Sequence, residues 1–198
     1  RSDLASISIA EIREGLSDSL FTSEDLVTRY LQFIEQHDKK LNAFIYINPN
    51  AVNEAKIIDD NLKKGIHVGP LAGIPIIIKE SVNVANMPST AGWDRLSVLS
   101  GGVEFVPKND ALVVKRLRDA GAIIIGKGNM PIFSMKSEHA DDSWNGPTYN
   151  AFNRCLYPGG SSTGVATAVA AWFSVAGIGA ETGGSIQNPA AAQGLVGV

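Results

Sequence analysis

The chain has 198 residues, of which 44% are hydrophobic, a composition typical of a globular domain with one sizeable core. It carries 17 Lys and Arg against 20 Asp and Glu, and a formal net charge of −3 without a basic run argues against a nucleic-acid surface. No stretch is long and apolar enough to span a bilayer, and the single cysteine, Cys155, excludes an internal disulfide and predicts a small packing residue in a reducing, cytoplasmic protein.

The N-terminal region, residues 1–66, is predicted to be mostly helical. Two capping boxes, in which a hydroxyl and a carboxylate three residues apart cap a helix start, are formed by Ser8 with Glu11 and by Thr22 with Asp25. The elements predicted next are a helix with an apolar stripe, a strand over 41–47, and a helix over 49–65 that Gly65 ends.

Residues 67–198 are predicted to alternate between strands and helices. A helix that Asp110 caps and Gly121 ends is followed at once by an apolar strand over 122–126. The succession of helix, glycine and apolar strand is typical of α/β proteins, whose sheets are covered by helices. We therefore expect an α/β fold.

An apolar strand of three isoleucines runs directly into Lys79. An unpaired ammonium in apolar surroundings is costly, so this lysine must reach solvent, find a partner or lose its charge. One interpretation is that it extends to solvent or pairs with Glu80. The other is that burial lowers its pKa and yields a neutral amine, which would act as a general base.

Two glycine-flanked serine turns lie in the C-terminal part of the chain, at 159–162 and 183–185. They are joined by a helix predicted over 163–173, buried on most faces, and by a strand predicted over 175–180, covered on both sides. Glycine leaves the backbone free to turn, and the unpaired N–H groups at element ends suit reactive groups. The turns are therefore predicted to carry functional serines.

Four motifs follow one another along the chain from about residue 70 onward and overlap these features. They are GIPIIIKE at 73–80, AGAIIIGKGNMPIFS at 120–134, PGGSSTG at 158–164 and GAETGGSIQNPA at 179–190. Together they resemble the amidase signature family of serine hydrolases. Ser161 and Ser185 are 24 residues apart, as the family pattern requires.

The resemblance implies a three-layer α/β/α sandwich with a mixed sheet, of which this chain is the N-terminal part of a single amidase domain. Residues 1–66 would form its N-terminal helices and 67–198 a catalytic core segment, and the C-terminal remainder would be absent. The three histidines share no metal-ligand spacing, and the family's activity implies hydrolysis of a small-molecule carboxamide, or an ester, without a metal or cofactor. A companion segment or chain would complete the fold, and a homo-oligomer stays open.

The family's roles carry over to the positions that match its motifs. Ser185 would be the nucleophile that forms an acyl-enzyme, and Ser161 would relay its proton to Lys79. The family's cis peptide bond would lie between Gly160 and Ser161. The predicted oxyanion and substrate contacts are the backbone N–H groups of Thr182, Gly183, Gly184 and Ser185 and, more distant in sequence, Ser134.

Several other interpretations stay open. GSSTG fits the nucleophile elbow of α/β-hydrolases with Ser162 as nucleophile, although neither a strand before it nor a histidine after it is present. A glycine-rich loop before a helix also cradles phosphate in nucleotide-binding proteins. The chain departs from the family at Glu181, Gln187 and Thr163, where Asp, Arg and Gly are usual, so a degenerate protein that binds without hydrolysis is an alternative. An amidotransferase subunit of a larger complex is another.

Overall fold

The computed structural model describes residues 7–198, so the first six residues of the predicted N-terminal region lie outside the described residues. The described α-helices are Ile9–Ser17 (α1), Ser23–His37 (α2), Ala51–Lys63 (α3), Leu112–Asp119 (α4), Thr163–Ala170 (α5) and Gln187–Ala192 (α6). The described strands are Phe44–Ile47 (β1), Pro75–Lys79 (β2), Ile123–Gly128 (β3) and Ala176–Ile178 (β4). None of the helices in this described part is long and apolar enough to cross a membrane.

The four strands form one mixed sheet in the order β1-β3-β2-β4. β1 runs antiparallel to β3, whereas β2 runs parallel to both β3 and β4. Helix α5 packs against all four strands, and α3 and α4 pack against β3. Helices therefore flank a mixed sheet, which confirms the predicted α/β class.

The two central strands, β2 and β3, are buried along their whole length. Their isoleucine runs are typical of parallel strands that are covered on both faces. Helix α2 adds Leu26, Tyr30 and Ile34 to the same core, and both predicted capping boxes are present at the starts of α1 and α2. Because the central strands are buried, the polar side chains at their ends, Lys79 and Lys127, are also shielded from water.

The first predicted strand is shorter than expected. It begins at Phe44 rather than at residue 41, because the carboxylate of Asp38 accepts hydrogen bonds from the N–H groups of Ala43 at 2.7 Å and Phe44 at 3.2 Å. These bonds hold the preceding residues in a turn. The helix predicted over 49–65 is present as α3, with slightly shorter ends.

The prediction that Asp110 caps the N-terminus of α4 is wrong. The residue before this helix is Ala111, and no side chain caps it. Asp110 instead accepts a hydrogen bond from the N–H group of Ala85 at 2.7 Å and forms an ion pair with Arg118, with Oδ2 and Nε 3.3 Å apart. The carboxylate therefore ties a distant loop to the helix rather than capping its first turn.

Two predictions around the serine turns need correction. Helix α5 ends at Ala170 rather than Phe173, since the backbone adopts a positive φ of 61° at Trp172. Cys155 is exposed rather than packed. It lies in a surface turn, where its N–H group donates to Oδ1 of Asn153 at 2.9 Å, so its side chain projects into solvent.

Strand β4 lies at the edge of the sheet, and the prediction that it is covered on both sides is wrong. It is half-exposed, and within the described residues β2 is its one strand partner. An open groove of about 330 Å³ runs beside it along α5 and α6 and is lined mainly by apolar side chains. Residues 193–198, at the end of the chain, form no strand, so the unpaired edge on this side of the sheet belongs to β4.

Candidate active site

Strand and helix ends converge at one edge of the sheet. β2 ends at Lys79, and its parallel neighbour β4 leads into the turn that carries Ser185. Ser161 lies just before the start of α5, which packs across the same strands. Parallel strands place their carboxyl ends at a common edge, so residues separated by 82 and by 24 positions in the chain come into contact.

The three predicted catalytic side chains form one continuous chain of hydrogen bonds. Nζ of Lys79 donates to Oγ of Ser161 at 2.6 Å, and Oγ of Ser161 donates to Oγ of Ser185 at 2.8 Å. Nζ also lies 3.4 Å from the carbonyl oxygen of Ala180. Hydroxyl protons rotate to suit their partners, so the same chain can carry a proton from Ser185 towards the amine.

The lysine end of this hydrogen-bond chain is shielded from solvent, whereas the Ser185 end is partly exposed. Lys79 is 1% exposed and Ser161 is 0% exposed, whereas Ser185 is half-buried. Burial lowers the pKa of Lys79 to about 8, and the negative charge of Glu181 opposes that change. The interpretation that Lys79 reaches solvent or pairs with Glu80 is wrong, since the carboxylate of Glu80 accepts the N–H group of Thr90 instead.

Backbone geometry fixes the middle serine in place. The peptide bond between Gly160 and Ser161 is cis, as the resemblance implied. Gly160 packs so closely on the neighbouring loop that a Cβ atom would lie 2.7 Å from the carbonyl oxygen of Lys136. The N–H group of Ser162 donates to the carbonyl oxygen of Ser185 at 3.2 Å, which joins the two serine turns directly.

A single carboxylate holds the turn that carries Ser185. Glu181 accepts hydrogen bonds from the N–H groups of Gly184, of Ile186 at 2.6 Å and of Gln187 at 3.3 Å. These bonds, the one from Ile186 first, lower the pKa of the Glu181 carboxyl. Gly184 has a φ of 111°, which lets the chain curl around the carboxylate. Glu181 therefore organises the turn through backbone contacts, and Gln187 contributes its N–H group.

The predicted oxyanion donors do not all point the same way. The N–H groups of Gly184 and Ser185 both face the Glu181 carboxylate, which leaves the predicted role to the N–H groups of Thr182 and Gly183. Thr182 and Gly183 are exposed, and no acceptor within residues 7–198 faces their N–H groups. Ser134 is half-buried and, among the residues that the structure describes, makes no hydrogen bond to the three catalytic candidates.

The competing interpretations find little support. Ser162 is buried, its Oγ accepts the N–H group of Ala180 at 3.3 Å, and no strand leads directly into its turn. The loop is equally unsuited to phosphate, because Ser161 and Thr163 are both buried and the carbonyl oxygen of Asn129 already accepts the Gly164 N–H group. Within residues 7–198, no group of three or more His, Cys, Asp or Glu could hold a metal ion.

Two buried polar residues beside the site were missed from the sequence. Lys127 and Asn129 are 0% exposed at the end of β3. Lys127 follows an isoleucine run as Lys79 does, so the same argument about a costly ammonium would have singled it out. Nothing in the sequence around Asn129 predicts its burial. Its side-chain amide donates hydrogen bonds to the carbonyl oxygen of Gly146 and to Oγ1 of Thr148, each 2.9 Å long.

Comparison with known proteins points to one family. The profile of the Amidase family matches residues 25–198. The glutamyl-tRNA(Gln) amidotransferase subunits A of Alkaliphilus metalliredigens and Methanosarcina mazei are 40% and 39% identical to this chain. Each alignment covers 97% of this chain but 38% and 37% of those relatives.

Solved structures agree with this result. PAM12A matches with a TM-score of 0.88 at 35% identity, over 96% of this chain and 39% of its own. The peptide amidase of Stenotrophomonas maltophilia matches with a TM-score of 0.84 at 36% identity, again over 96% and 39%. Both structures share the fold of this chain, which confirms the predicted α/β/α architecture.

The chain belongs to the Amidase family, the amidase signature enzymes that its motifs resemble. It spans about two fifths of the length of the curated relatives it matches.

Removing the Glu181 carboxylate should loosen the nucleophile turn. In a Glu181→Ala variant, the N–H groups of Gly184, Ile186 and Gln187 lose their acceptor, so we expect amide hydrogen exchange over 183–187 to accelerate on the order of tenfold.

Exchange read by mass spectrometry would check this, with substitution of the exposed Glu138 by alanine as the control. Equal exchange over 183–187 in wild type and both variants would show that the turn holds without Glu181.

Proposed function

We propose that the whole protein hydrolyses carboxamides through an acyl-enzyme on Ser185. The observation that carries this proposal is the unbroken hydrogen-bond chain from Nζ of Lys79 through Ser161 to Ser185. A serine hydroxyl is a weak nucleophile until a nearby base accepts its proton. Here the base is an amine that burial biases towards its neutral form.

In the acylation step, Oγ of Ser185 attacks the amide carbonyl carbon while its proton moves to Ser161 and the Ser161 proton moves to Nζ of Lys79. Collapse of the tetrahedral intermediate breaks the C–N bond, and the departing amine takes a proton back along the same chain. The products are the free amine and an ester on Ser185. Lys79 is neutral again when this step ends.

Deacylation reverses the proton movements. Water attacks the ester carbonyl and gives its proton to the relay, which returns a proton to Oγ of Ser185 as the carboxylic acid leaves. In both steps the negative oxygen of the intermediate needs donors, and the exposed N–H groups of Thr182 and Gly183 support that assignment. Ser134 stays a proposed substrate contact.

The pH dependence of catalysis should report Lys79. Because its pKa is lowered to about 8, the amine is mostly charged below that pH and mostly neutral above it. We expect kcat/KM for an amide substrate to fall roughly tenfold per unit as the pH drops below this value. A Lys79→Ala variant should lose about 10²–10⁴-fold in kcat and should lose this pH dependence.

The control is Lys115→Ala, which removes a lysine whose side chain is 63% exposed. A Lys79→Ala protein that is folded and fully active would exclude the lysine from the mechanism.

A second candidate function within the family is glutamine hydrolysis by an amidotransferase subunit. It is supported by the curated relatives, which carry that name at up to 40% identity, against 36% for the peptide amidase. Release of ammonia from free glutamine and from a C-terminal peptide amide distinguishes the two. We expect measurable turnover of the peptide amide by the protein alone. Turnover of glutamine only, dependent on partner subunits, would favour the amidotransferase.

We further propose that polypeptide outside this chain pairs with β4 and fills the groove along α5 and α6. Support comes from the unpaired strand edge, the apolar lining and the two-fifths coverage of the relatives. Unpaired apolar edges drive self-association. Expressed alone, the 198-residue chain should self-associate in light scattering. A monomer that unfolds cooperatively would contradict this proposal.

A further inference from the structure

A second buried lysine lies one strand away from the catalytic amine. Lys127, in β3, is 0% exposed, and Glu80, directly after β2, is 1% exposed. Consecutive strand residues point to opposite faces of a sheet, so Glu80 lies on the face opposite to Lys79. Lys127 is in register with Ile78, two positions before Glu80, which puts the lysine and the glutamate on the same face.

This pair holds one short piece of loop. Nζ of Lys127 donates to the carbonyl oxygen of Pro88 at 2.8 Å and to Oγ of Ser89. One carboxylate oxygen of Glu80 accepts the N–H group of Thr90. Three consecutive loop residues are therefore bound by two buried charges from the central strands.

The piece of loop, residues 88–92 and called here the anchor segment, holds a second loop in turn. The carbonyl oxygen of Ala91 accepts the N–H group of Phe133 at 2.8 Å. Oγ1 of Thr90 accepts the indole N–H group of Trp144 at 2.8 Å. The anchor segment thus lies between the buried pair and the loop that contains Phe133.

That second loop, residues 130–136 and called here the wall loop, is joined at both ends to the segment that carries Ser161. Just before it, the carbonyl oxygen of Asn129 accepts the N–H group of Gly164 at 2.8 Å. At its far end, the carbonyl oxygen of Lys136 lies against Gly160. Its middle carries an exposed aromatic ring, Phe133, whose centroid is 5.5 Å from that of Trp93.

We propose that the buried pair of Glu80 and Lys127 positions the wall loop against the catalytic serines and so sets how tightly an aromatic or apolar substrate group is held. The inference rests on the proposed amide hydrolysis. Contacts run without a break from the pair through the anchor segment to the wall loop, and from there to the residues that flank Ser161.

The energetics argue against a purely stabilising role for the pair. Burying two opposite charges costs desolvation free energy that their mutual attraction offsets only in part. Burial lowers the pKa of Lys127 to about 8, with Glu80 opposing the change, and Oε2 of Glu80 has no hydrogen-bond partner among residues 7–198. Such a pair costs free energy to keep, which is consistent with positioning rather than with stability.

The test uses three variants of the whole protein. Thr90→Val removes the hydroxyl that Trp144 contacts and leaves the charges alone, whereas Thr90→Ser keeps that hydroxyl. The double variant Glu80→Gln/Lys127→Met replaces both charges together, since removal of one alone would leave a buried unpaired charge. Lys115→Met is the control for an exposed lysine. Kinetics with an aryl amide and hydrogen exchange over 130–136 are measured for each.

For Thr90→Val and the double variant we expect KM to rise about tenfold, comparable to the loss of one buried hydrogen bond, with kcat changed less than about twofold. Exchange should accelerate over 130–136 and not in the central strands. Thr90→Ser and Lys115→Met should match the wild type.

Unchanged KM and exchange in both impaired variants would overturn the proposal, and so would a Thr90→Ser protein as impaired as Thr90→Val. A fall in kcat as large as that in kcat/KM would show that the pair acts on the nucleophile instead. If the wild type hydrolyses no amide, the proposed function fails, and exchange alone decides: acceleration confined to 130–136 supports positioning, and uniform acceleration overturns it.

Discussion

The site depends on the near-complete exclusion of water from one lysine amine. Among the residues that the structure describes, the hydrogen-bond acceptors of Lys79 Nζ are the neutral oxygens of Ser161 and Ala180, and desolvation disfavours the charged form of the amine. The arrangement requires that β2 be buried up to its last residue, and the packing of α5 against this strand contributes to that burial. In the proposed mechanism the base is therefore a product of burial, and the half-buried hydroxyl of Ser185 at the other end of the relay is the group that would meet a substrate.

Glu181 links the chemistry of this base to the shape of the nucleophile turn. Its carboxylate binds N–H groups of the turn, and its charge opposes the effect of burial on Lys79. The family's usual arginine is replaced by Gln187, so no cation at that position offsets the carboxylate. The Glu181 carboxylate holds the turn through its N–H groups, and Oγ of Ser185 lies 2.8 Å from Oγ of Ser161. With these departures from the family pattern in place, the side chains of Lys79, Ser161 and Ser185 are still joined by hydrogen bonds.

Much of the site could be predicted because the sequence features that indicate it involve residues close together in the chain. The isoleucine run before Lys79, the glycine-flanked serines and the two capping boxes each depend on neighbours in the sequence. The errors have the opposite origin. Asp110 binds Ala85 and Arg118 instead of capping its helix, and the Gly184 N–H group turns to Glu181. The short, half-exposed β4 depends on which strands pair with it. These outcomes are set by tertiary partners that sequence spacing does not reveal.

The central claim is that the buried amine activates Ser185, and covalent trapping tests it most directly. The whole protein would be treated with a fluorophosphonate, weighed intact by mass spectrometry and mapped by peptide digestion. The account predicts one adduct, on Ser185, which is absent in Ser185→Ala and forms far more slowly in Lys79→Ala. An adduct on Ser162, or none on a folded protein, would contradict it, and the second result would favour a family member that binds without hydrolysis.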